Sequence, residues 1–194
     1  MKTDKIEKLT YFFFEIGTLR KLVRAHRQTL LTDDLSDNIA SHSFRTTVIG
    51  YFLAKEEKAD ADKVLKMCLI HDLEESRSGD QNWVNKKYIK VYEEEIRKQQ
   101  LANLDDYQEL LNLSKEYHER KTKEAKISKD ADLLDQIFLL CEYLWQGNKE
   151  AAGWLKGKEQ EKLMFSKTAK RIAQEATKQK PSDWWNNLWT SKRR

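Results

Sequence analysis

Three short stretches of this sequence place histidine and aspartate where they could bind one divalent cation together. The first is His71-Asp72, inside an apolar run. On a helix, Leu65, Cys68 and Asp72 share one stripe, so the carboxylate extends an apolar face, and Glu75 lies within reach of both His71 and Asp72. A buried carboxylate is costly unless a cation or donors compensate it. Imidazole nitrogen beside carboxylate oxygen suits first-row divalent ions. Alone, the dipeptide is a weak signal, because adjacent His and Asp occur by chance in many proteins and more often have a structural role.

The second stretch is the segment 126–146, which carries Asp132 and Asp135. Apolar residues cover two stripes of this segment, so a helix here should be central and buried. Its two aspartates lie three residues apart on one face, where each needs a metal, a basic side chain or several backbone amides. The alternative is that acids near the start of a helix stabilise its dipole. Taken singly, neither interpretation is preferred.

The third stretch carries His42, in the first turn of another predicted helix. By itself, such a histidine is typical of a capping or partly exposed residue. The set is more informative, because two of only four histidines lie in apolar helices near carboxylates and a third helix holds unpaired acids. Together they predict one N2O2 site with positions open for water and substrate, formed by His42, His71, Asp72 and Asp132. The ion could be Mn, Co, Zn, Fe, Ni or Mg.

The elements that must position these residues are predicted to be helices. Among 194 residues there are six Gly and one Pro, and 35% are charged, which favours long helices joined by short polar connections. We predict an all-α, single-domain helical bundle over 1–180, followed by a tail over 181–194 that packs on the domain through its tryptophans or forms a dimer contact. The predicted helices span residues 5–24, 41–55, 60–76, 85–100, 105–123, 126–146 and 158–179.

Composition narrows the class of function. The net charge is +4 and the basic residues are dispersed, which favours a small anionic ligand over nucleic acid. No window of 18 apolar residues occurs, so we expect no membrane partner, and the N-terminal apolar patch is interpreted as the first helix instead of a signal peptide. Cys68 and Cys141 lie in apolar patterns without a metal-binding spacing, which is typical of a reducing, cytoplasmic setting.

The order His42, His71-Asp72, Asp132 resembles the H…HD…D pattern of the HD-domain superfamily of metal-dependent phosphohydrolases. The stretch HDLEESRSGD, with Glu75 and Gly79-Asp80, is similar to the HDxxE and Gly-Asp turn of its 5′-deoxynucleotidase branch, the YfbR-like and HD-domain-containing-protein-2-like proteins. The stretch EYHERKTKEAKISKDAD also resembles the segment that precedes the last aspartate of that branch. The resemblance covers residues 20–147 and implies the HD-type helical fold.

The resemblance also implies a role for each matching residue. It implies that the divalent ion is held by His42, His71, Asp72 and Asp132. Glu75 would be the acid/base or water-orienting group, and Asp80 would contact the sugar or assist the attacking water. Arg27 would bind the phosphate, with Arg24 as the competing candidate, and Asp135 competes with Asp132 for the last ligand position.

Two departures from the family pattern lie on the substrate side. Ser41 stands where the family has an acid before the first histidine, and Gln28-Thr29-Leu30 stands where it has a tryptophan near the phosphate-binding arginine. Nucleotide specificity is therefore left open.

The leading hypothesis is a metal-dependent hydrolase that releases orthophosphate from (deoxy)nucleoside 5′-monophosphates, and the resemblance further suggests a homodimer. The alternatives are a pyrophosphohydrolase of nucleoside triphosphates or an alarmone, and a non-catalytic binding or scaffold protein of the same fold.

Overall fold

The computed structural model describes residues 5–102, 104–105, 107–186 and 188. These residues form α-helices joined by short connections, with one isolated antiparallel bridge between Val23 and Asn38. A 3-10 helix, Gly17–Lys21, follows the first α-helix. The α-helices are α1 Lys5–Ile16, α2 Arg27–Leu30, α3 Ile39–Glu56, α4 Ala61–Ile70, α5 Glu75–Ser78, α6 Trp83–Tyr88, α7 Glu93–Leu101, α8 Tyr107–Glu119, α9 Lys123–Trp145, α10 Lys149–Gly157, α11 Glu159–Leu163, α12 Lys167–Ala176 and α13 Asp183–Asn186. The predicted all-α class is confirmed.

Helix α9 lies at the centre of the fold, as its two apolar stripes predict. It packs against α3, α4, α8, α10, α11 and α12. Ile127, Leu134 and Leu140 on α9 are fully buried. His42 lies on α3, Asp132 lies on α9, and His71-Asp72 directly follows α4. Because these three helices all contact one another, the core itself brings the predicted ligands together.

The close approach of α3 and α4 depends on Gly50. A Cβ atom placed at Gly50 would lie 2.6 Å from the Sγ of Cys68 and 3.2 Å from a methyl carbon of Val64. The start of each helix is also fixed locally, since Asn38 accepts from the backbone N–H of Ser41 and the predicted cap Asp60 accepts from that of Lys63. Cys68 and Cys141 are both buried free thiols.

Several predicted helices are shorter than expected. The first ends at Ile16, because the 3-10 turn and the bridge at Val23 redirect the chain. The helix that begins after Asp60 ends at Ile70 and resumes only at Glu75, so the His71-Asp72 pair lies at a break between helices. The segments predicted over 85–100 and 158–179 are each interrupted and form pairs of helices.

The C-terminal tail is described only in part. Trp184 and Trp185 contact each other edge to face, with ring centroids 4.9 Å apart, and their exposed fractions are 71% and 48%. Trp189 lies outside the described residues, and the packing of the tail on the domain stays a prediction. None of the described helices combines the length and apolar character needed to cross a lipid bilayer.

Candidate metal and active site

Two buried imidazoles face each other through their Nε2 atoms. His42 lies in the first turn of α3 and His71 directly follows α4, and their Nε2 atoms are 3.1 Å apart. The Nδ1–H of His71 donates to the carbonyl of Cys68 at 2.7 Å, and that of His42 donates to Asp135 Oδ2 at 2.6 Å. Because each ring uses its other nitrogen as a donor, two Nε2 lone pairs converge on one point. This arrangement requires a cation or a proton between them.

Two carboxylates lie next to the same pair of Nε2 atoms. Asp72 Oδ2 lies 3.1 Å from His71 Nε2 and 3.4 Å from His42 Nε2, and Asp132 Oδ1 lies 3.4 Å from His42 Nε2. Ligand atoms roughly 2.1 Å from a single ion, in tetrahedral or octahedral geometry, are about 3.0–3.4 Å apart. Potential ligand atoms of His42, His71 and Asp72 lie within 4.8 Å of one another. Asp132 is not part of that group and approaches it at His42 Nε2. The donor set therefore fits a first-row divalent ion.

The charge states of these groups agree with that geometry. Burial lowers the pKa of His42, but its bonds to Asp132, Asp135 and Asp72 outweigh burial and raise it well above the ordinary value. Burial raises the pKa of Asp72, yet the neighbouring His71 and His42 hold it well below its usual range. In the metal-free protein, a proton on His42 takes the place that a cation would fill, and both carboxylates stay ionised.

Asp135 contacts the Nδ1 atom of His42, on the side of the ring away from the predicted metal position. Its Oδ2 accepts from His42 Nδ1, and its Oδ1 accepts from Arg45 Nε at 2.5 Å. Arg45 also donates from Nη1 to Glu142 at 2.6 Å. The geometry thus favours Asp132 over Asp135 as the fourth ligand, and Asp135 holds the tautomer and orientation of the His42 ring. Sequence reasoning missed Arg45, although its position one helical turn after His42 was a usable signal.

A cavity of about 690 Å³ opens in front of the ligands, a size typical of small-molecule sites. It is lined by Asp72 and Asp132 together with Arg24, Glu75, Asp80 and Arg120. Glu75 Oε2 is buried there without a hydrogen-bond partner. Burial, and then the charges of Asp72 and Asp80, raise the pKa of Glu75 to about 10. In the metal-free site Glu75 is therefore a protonated acid that can donate into the cavity.

Asp80 and Arg24 form the opposite wall. The turn at Gly79, with φ +71°, presents Asp80, whose Oδ2 accepts from the backbone N–H of Ala25 at 2.6 Å and lies 3.4 Å from Arg24 Nε. Burial lowers the pKa of Arg24, but Asp72, Asp80 and further acids outweigh it and raise the pKa. The guanidinium is therefore a permanent cation, and its buried Nε lacks a hydrogen-bond partner.

Arg27, the first choice for the phosphate-binding arginine, does not line this cavity, whereas the competing candidate Arg24 does. Its Nε donates to the Thr32 carbonyl at 2.9 Å and its Nη2 to Asp33 at 3.2 Å, on the outer side of α2. Arg24 precedes α2 in a segment held by its backbone N–H bond to Asp37, and this aims its side chain inward. The competing candidate Arg24 therefore occupies the predicted position. Ser41 lies exposed beside the Asn38 cap.

A second acidic cluster, formed by Glu74, Glu93 and His118, also borders the cavity. Arg97 lies at its centre and donates from Nη1 to Glu74 at 2.6 Å, with His118 Nε2 at 2.9 Å. The guanidinium already neutralises this cluster, which makes it an ion-pair network instead of a second cation site.

Comparison with known proteins supports the assignment that this geometry suggests. The 5′-deoxynucleotidase HDDC2 of Dictyostelium discoideum is 29% identical over 123 residues, covering 57% of this chain and 64% of that protein. Human HDDC2 is 29% identical over 143 residues, covering 70% of this chain and 68% of the human protein. A structure described as a predicted metal-dependent phosphohydrolase, from Magnetospirillum magnetotacticum, is 26% identical with a TM-score of 0.61 and covers 90% of this chain and 96% of that one.

The first of these relatives is matched over less than two thirds of its length, whereas the structural match is nearly complete. A model of the HD domain matches residues 18–178, well over half of the 194 residues, and this range contains all the predicted ligands. The resemblance stated from the sequence is thereby confirmed: the chain belongs to the HD domain family.

Proposed function

We propose that this protein is a metal-dependent phosphohydrolase that releases orthophosphate from (deoxy)nucleoside 5′-monophosphates. The observation that carries the proposal is the 3.1 Å approach of the His42 and His71 Nε2 atoms, each ring being held by a bond from its other nitrogen. Similarity to proteins named 5′-deoxynucleotidase supports a nucleoside monophosphate as the substrate. The cavity size and its buried cations also suit a small anionic ligand.

A divalent ion held by His42, His71, Asp72 and Asp132 would lower the pKa of a bound water and polarise a phosphoryl oxygen. Arg24 would bind the phosphate through charge-assisted hydrogen bonds, since its guanidinium stays charged. Glu75 would hold a proton at its buried carboxyl and donate it toward the leaving oxygen. Asp80, fixed by the Ala25 N–H, would contact the sugar or orient the attacking water.

The test is a panel of phosphate-release assays over dAMP, dCMP and the corresponding triphosphates, with Mn, Co, Zn, Fe, Ni and Mg supplied in turn. Release of orthophosphate from monophosphates alone is the expected result. Pyrophosphate release from triphosphates would establish the pyrophosphohydrolase alternative. A chain that retains no metal and is inactive with every ion would be a binding or scaffold protein.

The Asp72→Ala variant separates the ligand role from general damage to the fold. We expect it to lose both bound metal and phosphate release. Asp62→Ala is the matched control, because Asp62 is an exposed acid in the first turn of α4, the helix that precedes Asp72. Full activity of Asp72→Ala would contradict the ligand assignment.

Assembly as a homodimer and a cytoplasmic location are also parts of the proposal. The outward face of α3 carries a stripe of large apolar side chains at four-residue spacing, Phe44, Val48 and Phe52, which are 73%, 42% and 63% exposed. Such a stripe is typical of a helix that packs against a second copy. Two free buried thiols support a reducing compartment. Sedimentation of the wild type against Phe44→Glu tests the dimer, with a shift to monomer as the expected result.

A further inference from the structure

Arg120 is a cation in the active-site cavity without an acidic partner among the described residues. It lines the cavity with Tyr117 and Asp132, and its Nη1 atom is buried without a hydrogen-bond partner. The other arginine of the cavity wall, Arg24, lies against Asp80, and Lys129 is paired with Asp132. A buried guanidinium N–H group without an acceptor is unfavourable unless an anion satisfies it during function.

The backbone of Arg120 has a conformation that glycine adopts more easily than other residues. Arg120 directly follows α8 with φ 55°, in the left-handed region, and its N–H donates to the Glu116 carbonyl at 3.2 Å. Glycine is the residue that favours this position at a helix end, because a Cβ atom adds steric strain there. Leu31, Lys58 and Lys158 share this conformation, so the backbone alone assigns no role to Arg120, and any role depends on its side chain.

Tyr117 connects Arg120 to the metal-binding residues. The guanidinium carbon lies 3.9 Å from the centroid of the Tyr117 ring. The same ring is 5.4 Å from the His71 ring, and its hydroxyl lies 3.4 Å from Asp132 Oδ2. This contact holds the guanidinium carbon over the ring while leaving N–H groups free to donate. Arg120 and Arg24 therefore flank the predicted position of the cation.

We propose that Arg120 is a specificity-determining residue that binds the phosphate group of the substrate, in addition to Arg24. This inference rests on the proposed phosphohydrolase function and adds a phosphate contact to the one proposed for Arg24. The planar fork of a guanidinium matches two oxygens of a phosphate, so binding of a dianion satisfies the Nη1 donor that otherwise has no partner. A neutral base or sugar edge would not compensate its charge.

Arg120→Gly is the principal test, because glycine suits the φ of 55° and removes only the side chain. We expect the KM for the monophosphate and the Kd for inorganic phosphate to rise by about 10-fold or more, the effect of losing a charge-assisted contact. Metal content should be unchanged, and the Tm should stay equal or rise. Arg120→Lys should restore part of the affinity. Lys121→Ala is the matched control, since its 79% exposed side chain pairs with Glu119 and the residue does not line the cavity.

Binding and turnover are measured separately so that the two proposals can fail independently. If the wild type hydrolyses monophosphates and Arg120→Gly keeps its KM and phosphate Kd, the role of Arg120 is refuted while the function stands. If Arg120→Gly lowers the Tm and leaves phosphate binding intact, Arg120 is structural and the inference is overturned. If no monoester is hydrolysed but phosphate binds in an Arg120-dependent manner by calorimetry, the proposed function fails and the anion site remains.

Discussion

Replacing Asp135 by asparagine should weaken metal binding without touching a ligand. Each oxygen of Asp135 accepts from one donor, Oδ2 from His42 Nδ1 at 2.6 Å and Oδ1 from Arg45 Nε at 2.5 Å. An amide has only one acceptor oxygen. Because Arg45 is always a donor, the amide oxygen is expected to stay with Arg45 and the amide NH2 group to face His42. That orientation favours the tautomer with its proton on Nε2, which cannot bind a metal.

The expected loss of metal affinity follows from the contact of Asp135 with the Nδ1 atom of His42. Changes to groups that orient a metal-binding histidine typically reduce metal affinity by about 10–100-fold, or roughly 1.4–2.7 kcal/mol. His42 contacts both Asp72 and Asp132 through the affected nitrogen, so we expect the upper half of this range. Activity at a limiting metal concentration should fall by a similar factor, and excess metal should restore much of it.

The assay is competitive metal titration, with phosphate release measured at each metal concentration. Glu142→Gln is the matched control, because Glu142 lies on the same helix, accepts from the same Arg45 at 2.6 Å and does not contact His42. Asp135→Asn should shift the metal Kd, whereas Glu142→Gln should leave it within about twofold of the wild type. Equal Kd values for Asp135→Asn and the wild type would show that His42 does not depend on Asp135 for its tautomer.

Three further predictions follow from the same geometry. Arg24→Gln should raise the KM for a monophosphate by about 10–100-fold, whereas Arg27→Ala should leave it unchanged, as measured by initial rates. Glu75→Gln should reduce kcat by about 10²–10⁴-fold with metal retained. In the metal-free protein, denaturant melts should show the wild type losing stability relative to this variant as pH rises above about 4.5. The reason is that Glu75 ionises there in the unfolded chain, whereas its pKa in the folded protein is about 10. Gly50→Ala should lower the free energy of unfolding by about 1–3 kcal/mol in denaturant melts, and adding Cys68→Ala, which removes the Sγ 2.6 Å from the new Cβ, should restore part of the loss.

The convergence of the predicted metal ligands could be anticipated because their signal in the sequence is local. A histidine or aspartate on the apolar stripe of a helix violates the hydrophobic pattern, and that violation is visible in the sequence at Asp72 and Asp132. The central position of α9 was predictable for the same reason, since its apolar residues cover most of its surface. The helix ends were less predictable. The break at His71 and the bridge at Val23 depend on contacts with distant segments, which periodicity does not encode.

The residues around the predicted ligands were harder to assign, because their roles depend on where each side chain points as well as on its position in the sequence. Arg24 and Arg27 lie three residues apart, yet only Arg24 lines the cavity, in a segment held by the bonds of Arg24 to Asp37 and of Ala25 to Asp80. Asp132 and Asp135 likewise lie on one helical face, yet they approach opposite nitrogens of the His42 ring. A helical turn advances the chain by about 5.4 Å, roughly the separation between a ligand and the group that orients it. Sequence spacing alone therefore places both aspartates near His42 without distinguishing the metal ligand from the residue that sets its tautomer.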